Sequence, residues 1–146
     1  MNLRELIDAV RAEGYSQANA EARVCQDVVL KAIDESAFAD HITVKGGVVM
    51  RSITGDARRA TQDMDLDFIR YSLRDDSIRS FISRLNCLDG ISIQIAGAIE
   101  ELSQQEYHRK DHLPGRSVKA EVLLFSPVRD SWRDDANPPD QGECLL

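Results

Sequence analysis

Apolar residues recur at a helical period along the first third of the chain. Leu3, Leu6, Ile7 and Val10 fall at i, i+3, i+4 and i+7, which predicts an amphipathic helix stopped by Gly14. Ser16 is the expected N-cap of a second helix. Its buried stripe would take Ala18, Ala22, Cys25, Val28, Val29, Ala32 and Ile33, and it would end between Ser36 and Asp40. The period then shortens. His41 to Lys45 is brief and β-branched and predicts a strand, which Gly46-Gly47 breaks. Val48 to Ile53 is read as a short helix and Gly55 to Ala60 as a polar loop. From Gln62 to Ile69 the chain alternates strictly, with Asp63, Asp65 and Asp67 on one face and Met64, Leu66 and Phe68 on the other. Helical spacing returns between Leu73 and Leu88 through Ile78, Phe81, Ile82 and Leu85. Ile91, Ile93 and Ile95 alternate with Ser92 and Gln94 as another strand, and Val118 to Phe125 forms a further one.

This order predicts an α+β fold: a small mixed sheet with helices packed on one side. Residues 1–125 are expected to form the folded core. From Ser126 the character changes, because Pro127, Pro138, Pro139 and several aspartates replace the apolar period. Residues 126–146 are therefore expected to be a disordered, flexible acidic tail.

A chain of 146 residues fits one domain and is long enough to bury a core. The net charge of -7 excludes a general nucleic-acid coat, which needs clustered Lys and Arg to release counterions. Any such contact would be local, at a rim formed by Arg51, Arg58, Arg59, Arg70 and Arg74 around the acidic strand. Cys25, Cys87 and Cys144 are too widely spaced to suggest a metal pair or a disulfide framework, and read as reduced thiols. His41, His108 and His112 have no partner at ligand spacing, and Trp132 stands alone in the tail. The N-terminus has no leader pattern, and no apolar run approaches the ~20 residues of a membrane span. The expected location is the cytoplasm, with no membrane partner.

The chemistry concentrates in the middle. Three carboxylates on one strand face repel one another, and a divalent cation relieves that repulsion. Mg²⁺ prefers carboxylate oxygens and commonly takes one or two of them together with substrate phosphates. Side chains at i and i+2 of a strand point the same way, so an Asp-x-Asp pair is able to share one ion or bridge two. The competing account is a solvated face of an edge strand. Gly46-Gly47 lies about 16 residues earlier, between a strand and a helix. Glycines there let the backbone approach a triphosphate, and the helix N-terminus offers free N–H groups. Alone, a Gly-Gly is a plain turn, and no P-loop Gly-Lys-Ser/Thr follows it. Strand, Gly-Gly, helix, loop and acidic strand in this order make one site from two adjacent strands.

Val44-Lys45-Gly46-Gly47 with Arg51, then Arg58, then Thr61-Gln62-Asp63-Met64-Asp65-Leu66-Asp67-Phe68, resembles the AbiEii/AbiGii nucleotidyltransferase toxins. That family is associated with abortive infection and type IV toxin–antitoxin systems, on a DNA polymerase β-like core. The resemblance is best from Val28 to Phe68 and extends to about Tyr107. It implies that Gly46 and Gly47 hold nucleoside triphosphate phosphates and that Asp63 and Asp65 ligate Mg²⁺. It further implies that Thr61 supports the strand or a phosphate, and that Lys45 and Arg51 contact the triphosphate. For Lys45 the alternatives are bracing the loop or a plain surface lysine at a strand end, and for Arg51 an ordinary salt bridge to a nearby Asp. Asp67 would support the site without ligating. The acceptor would be RNA, such as a tRNA end, or a protein side chain, and a cognate antitoxin protein is the implied partner.

The family's third carboxylate has one candidate, Glu121, against which stands a plain surface glutamate on an edge strand. Members are usually longer, with a helical C-terminal half. The resemblance therefore implies a shortened or frame-shifted reading frame after about Lys110, or a fragment, and a coding continuation downstream would be its signature. The alternative function is a non-catalytic remnant that binds nucleotide or a partner.

Overall fold

Local side-chain chemistry fixes the first helices. The Asn2 side chain accepts from the N–H groups of Arg4 and Glu5 at 3.0 and 3.4 Å and starts α1 (Leu3–Ala12). Gly14, at φ +105°, provides the backbone that ends it. The Ser16 hydroxyl accepts from the Asn19 N–H at 3.3 Å and starts α2 (Gln17–Glu35). The computed structural model describes residues 2–45, 64–102, 117–126 and 141–145. The expected helix at 48–53 and loop at 55–60 lie outside these residues.

The stripe predicted for α2 is buried apart from Ala18, which is exposed, while Ala20, Val24 and Gln26 are also buried. The cause is a second neighbour: α2 packs against α1 and also against the last strand, so its covered arc is wider than one apolar face. Arg23 ties α2 to the preceding turn. Its guanidinium pairs with Glu13 at 2.6 Å and lies 4.9 Å from the Tyr15 ring centroid. Burial opposes the Arg23 charge, but the Glu13 hydrogen bond and the fields of Tyr15, Glu13 and Asp27 outweigh it and hold the pKa above its ordinary value.

After α2, a single 3₁₀ turn (Ala39–His41) leads into β1 (Ile42–Lys45). This strand pairs antiparallel with β2 (Asp65–Phe68), from Ile42 opposite Phe68 to Lys45 opposite Asp65. The Ile69 N–H donates to the His41 carbonyl at 2.7 Å and extends the ladder. Helix α3 (Asp75–Arg84) follows, with Asp75 and Asp76 in its first turn and Arg84 in its last, both favourable to the helix dipole. It buries Ile78, Phe81 and Ile82.

The second sheet has the order β3 (Ser92–Leu102), β4 (Ser117–Phe125), β5 (Gln141–Leu145), antiparallel throughout. Asn86 fastens α3 to it. Its side chain accepts from the Ile93 N–H at 2.7 Å and donates to the Ile93 carbonyl at 3.0 Å, occupying both backbone groups of that residue. Midway, the β3–β4 register shifts between Ala96 and Glu100, where Gly97 adopts φ +72°. No atom lies within 4 Å of the position a Cβ would take at Gly97, so glycine serves the backbone angle there rather than close packing.

The α+β class and each helix and strand predicted within the described residues are present. Two differences have physical causes. The described strands form two antiparallel sheets instead of one mixed sheet, because β2 pairs with β1 and β4 with β3 and β5. Part of the expected loose tail is a strand: Gln141–Leu145 pairs with Glu121–Phe125. A ladder is made by main-chain groups, so β5 forms without the alternating pattern sought in the tail.

The two sheets and three helices share one core, in which Met64 and Phe81 are 1% exposed and Val122 and Leu124 are fully buried. Phe81 is its aromatic hub. Its ring centroid is 5.1 Å from Phe38 and 4.9 Å from Phe68, both edge-to-face, and 6.5 Å from Tyr71. Truncation of Phe81 to alanine is therefore expected to destabilise the protein by about 3–5 kcal/mol in urea unfolding. A loss below about 1 kcal/mol would contradict a rigid aromatic hub.

Candidate functional site

The acidic strand is aimed by its own alternation. Met64, Leu66 and Phe68 face the core, while Asp65 and Asp67 are exposed on the other face of β2. On β1 the same rule puts Ile42 and Val44 against the core and exposes Thr43 and Lys45. The antiparallel register then sets Thr43 opposite Asp67 and Lys45 opposite Asp65. Four polar residues from two strands thus form one open patch, and a one-residue slip of either strand would turn its share into the core.

Within the patch the Lys45 ammonium pairs with the Asp67 carboxylate, its diagonal neighbour, and not with Asp65 directly across. Both side chains are about half exposed, so solvent screens the pair. Asp65 and Asp67 are two residues apart on one strand face, about 6–7 Å along the chain. Among the described residues no group of three or more His, Cys, Asp or Glu is close enough to hold a metal ion. A Mg²⁺ that keeps waters and shares substrate phosphates needs only one or two protein carboxylates, and the exposed Asp65 fits that donor type.

Glu121 stands elsewhere. It lies on β4, half-buried, with Ala96 and Leu145 as its register partners. β4 is the middle strand of its sheet, so the edge-strand account of Glu121 does not hold. Its neighbours Ala120 and Val122 are buried, so Glu121 occupies the face of β4 turned away from the core. No ladder joins this sheet to β2 among the described residues. The structure brings Lys45, Asp65 and Asp67 together and leaves Glu121 in the second sheet. Gly46, Gly47, Arg51, Thr61 and Asp63 lie outside the described residues, as do Arg58, Arg59, His108, His112 and Trp132.

Two members of the expected basic rim are described. Arg74 sits at the N-cap of α3 and approaches Asp76 at 3.6 Å, highly exposed. Arg70, just past β2, has φ 56°, a left-handed conformation uncommon for a residue with a Cβ. No periodicity signals such an angle. The Lys45–Asp67 pair likewise comes from the register between β1 and β2, which the pattern of neither strand alone reveals.

The described residues thus set an acidic strand, β2, against β1 on an α+β frame. The chain belongs to the AbiEii family: the model described as nucleotidyl transferase AbiEii toxin, type IV TA system, matches residues 28–133. Neither a curated protein nor a solved structure matches it. No described helix is long and apolar enough to cross a membrane.

The exposure of the Lys45–Asp67 pair sets its stabilising contribution. Lys45→Met keeps most of the aliphatic stem and is expected to change unfolding free energy by less than about 1 kcal/mol. A loss of several kcal/mol in denaturant titration would instead mark the pair as a structural brace.

Proposed function

We propose that the chain is a Mg²⁺-dependent nucleotidyltransferase that moves a nucleoside monophosphate from a nucleoside triphosphate to an acceptor. The observation that carries this reading is the open acidic face of β2, held beside the end of β1 in a chain of the AbiEii family. In this reading the backbone of Gly46 and Gly47 receives the phosphates. Asp63 and Asp65 would hold the metal, which would supply charge stabilisation to the reacting phosphoryl group. Thr61 supports the acidic strand, and Lys45 and Arg51 face the triphosphate.

The reaction is an in-line displacement. An acceptor oxygen forms a bond to the α-phosphorus as the bond to the bridging oxygen breaks, and pyrophosphate leaves with that electron pair. The hydroxyl proton passes to water. Catalysis comes from positioning and electrostatics, and no Cys or His nucleophile is required. The acceptor class is RNA, such as a tRNA end, with a protein side chain as the other choice. In the cytoplasm this activity would serve as the toxin of a type IV toxin–antitoxin or abortive infection system, restrained by a cognate antitoxin protein.

Incubation with Mg²⁺, each α-phosphate-radiolabelled nucleoside triphosphate and total cellular RNA or protein tests the reading. Label should reach an acceptor with the native chain, and Asp65→Ala should reduce transfer about 100-fold or more. Equal transfer by the variant would remove Asp65 from the site. A native chain that binds nucleotide with Mg²⁺ but transfers no label would be a non-catalytic binding module.

A further inference from the structure

We propose that Lys45 acts as an internal cation of the acidic face: it engages Asp67, keeps that carboxylate out of the metal's ligand set, and so leaves the divalent ion to Asp65. This rests on the nucleotidyltransferase reading and assigns Lys45 a positioning role within it.

The argument starts from register. Lys45 lies directly across the ladder from Asp65, yet its ammonium pairs with Asp67. Diagonal neighbours across an antiparallel pair are about 7–8 Å apart, within reach of a lysine side chain. Without a cation at Asp67, the two aspartates point the same way and are able to share one ion. With the ammonium on Asp67, the two carboxylates of one short strand become unequal. Asp67 has its counter-ion from β1, and Asp65, the nearer of the two in sequence to Asp63, has no ion-pair partner among the described residues.

The pair is also poised to exchange. Lys45 and Asp67 are 48% and 52% exposed, so water reaches both, and neither charge carries the desolvation cost that locks a buried pair. A further consequence is electrostatic. A unit and a double positive charge about 7 Å apart in water repel by an amount equal to a factor of roughly ten in affinity. The native chain therefore binds a bare divalent ion more weakly than its carboxylates alone allow. Triphosphate, with negative charge to offer both the ion and the ammonium, removes the conflict. Lys45 in this account couples metal retention to the presence of nucleotide.

The test is Mn²⁺ binding to the full chain without nucleotide, followed by the electron paramagnetic resonance of free Mn²⁺. Lys45→Met should tighten Mn²⁺ about tenfold or more, because it removes the repulsion and frees Asp67. Lys45→Arg should stay near the native affinity. Lys45→Met/Asp67→Asn should return toward the native value, since the face regains its net charge and loses the extra ligand. Asp65→Ala should abolish binding. If Asp65→Ala abolishes binding but Lys45→Met is no tighter than native, the role of Lys45 is overturned while the nucleotidyltransferase reading stands. If the double variant stays as tight as Lys45→Met, Asp67 is not what Lys45 restrains, and the assignment fails. If neither the native chain nor any variant binds Mn²⁺, the metal reading falls and this inference falls with it.

Discussion

The burial of one side of β2 is the constraint on which the rest of the molecule depends. Met64 is almost fully buried, and Leu66 and Phe68 pack against the same core. Full removal from water contributes about 1.5–3 kcal/mol per such side chain, which Met64 approaches and the half-buried Leu66 and Phe68 reach in part, and together they fix the phase of the strand. Phe68 does so with a partner from each side. It stacks near Tyr71 at 5.7 Å and meets Phe81 edge-on, while the Tyr71 hydroxyl donates to the Ser77 carbonyl at 2.8 Å at the start of α3. With the apolar row fixed, the aspartates have one direction left, outward. The acidic face is thus a by-product of core packing at alternate positions, and its geometry needs no attraction among the acids themselves.

The same logic links the remaining elements to the patch. β1 repeats the alternation and contributes Lys45 from the opposite side of the ladder. α3 supplies the aromatic hub beneath β2 and, through Asn86, reaches the edge of β3. β3 and β4 close the far side of the shared core with Ile93, Val122 and Leu124. Stability and function are therefore separable on this strand pair. The inward row carries the packing energy, and the outward row is exposed, screened and inexpensive to substitute.

Much of this was legible in the chain because it follows from two periods. Of the helical stripe Leu3, Leu6, Ile7 and Val10, all but Leu6 are buried, and the alternation of Met64, Leu66 and Phe68 marks the side of β2 that packs on the core. The Asn2 cap carries the same signal as Ser16, a capping side chain just before an apolar helical period. The second neighbour that widens the buried arc of α2 and the β5 ladder were not legible, because a second neighbour comes from tertiary packing and a main-chain ladder leaves no side-chain period. The site was readable in part for the same reason. Alternation located Asp65 and Asp67 on one face, but the choice of Asp67 by Lys45 depends on register and reach across strands. The placement of Glu121 on a middle strand depends on β5, which has no alternating signature.

The central claim is that the outward face of β2 receives a metal-bound triphosphate in a chain whose inward face is already complete. Thermal unfolding with Mg²⁺ and each nucleoside triphosphate, beside Asp65→Ala, measures it most directly. A ligand at 100 times its Kd should add about 2.7 kcal/mol to the native chain. The account predicts a rise in Tm that requires both Mg²⁺ and nucleotide and disappears in Asp65→Ala, while the ligand-free variant melts close to the native chain. No shift with any triphosphate, or an equal shift in the variant, would contradict it.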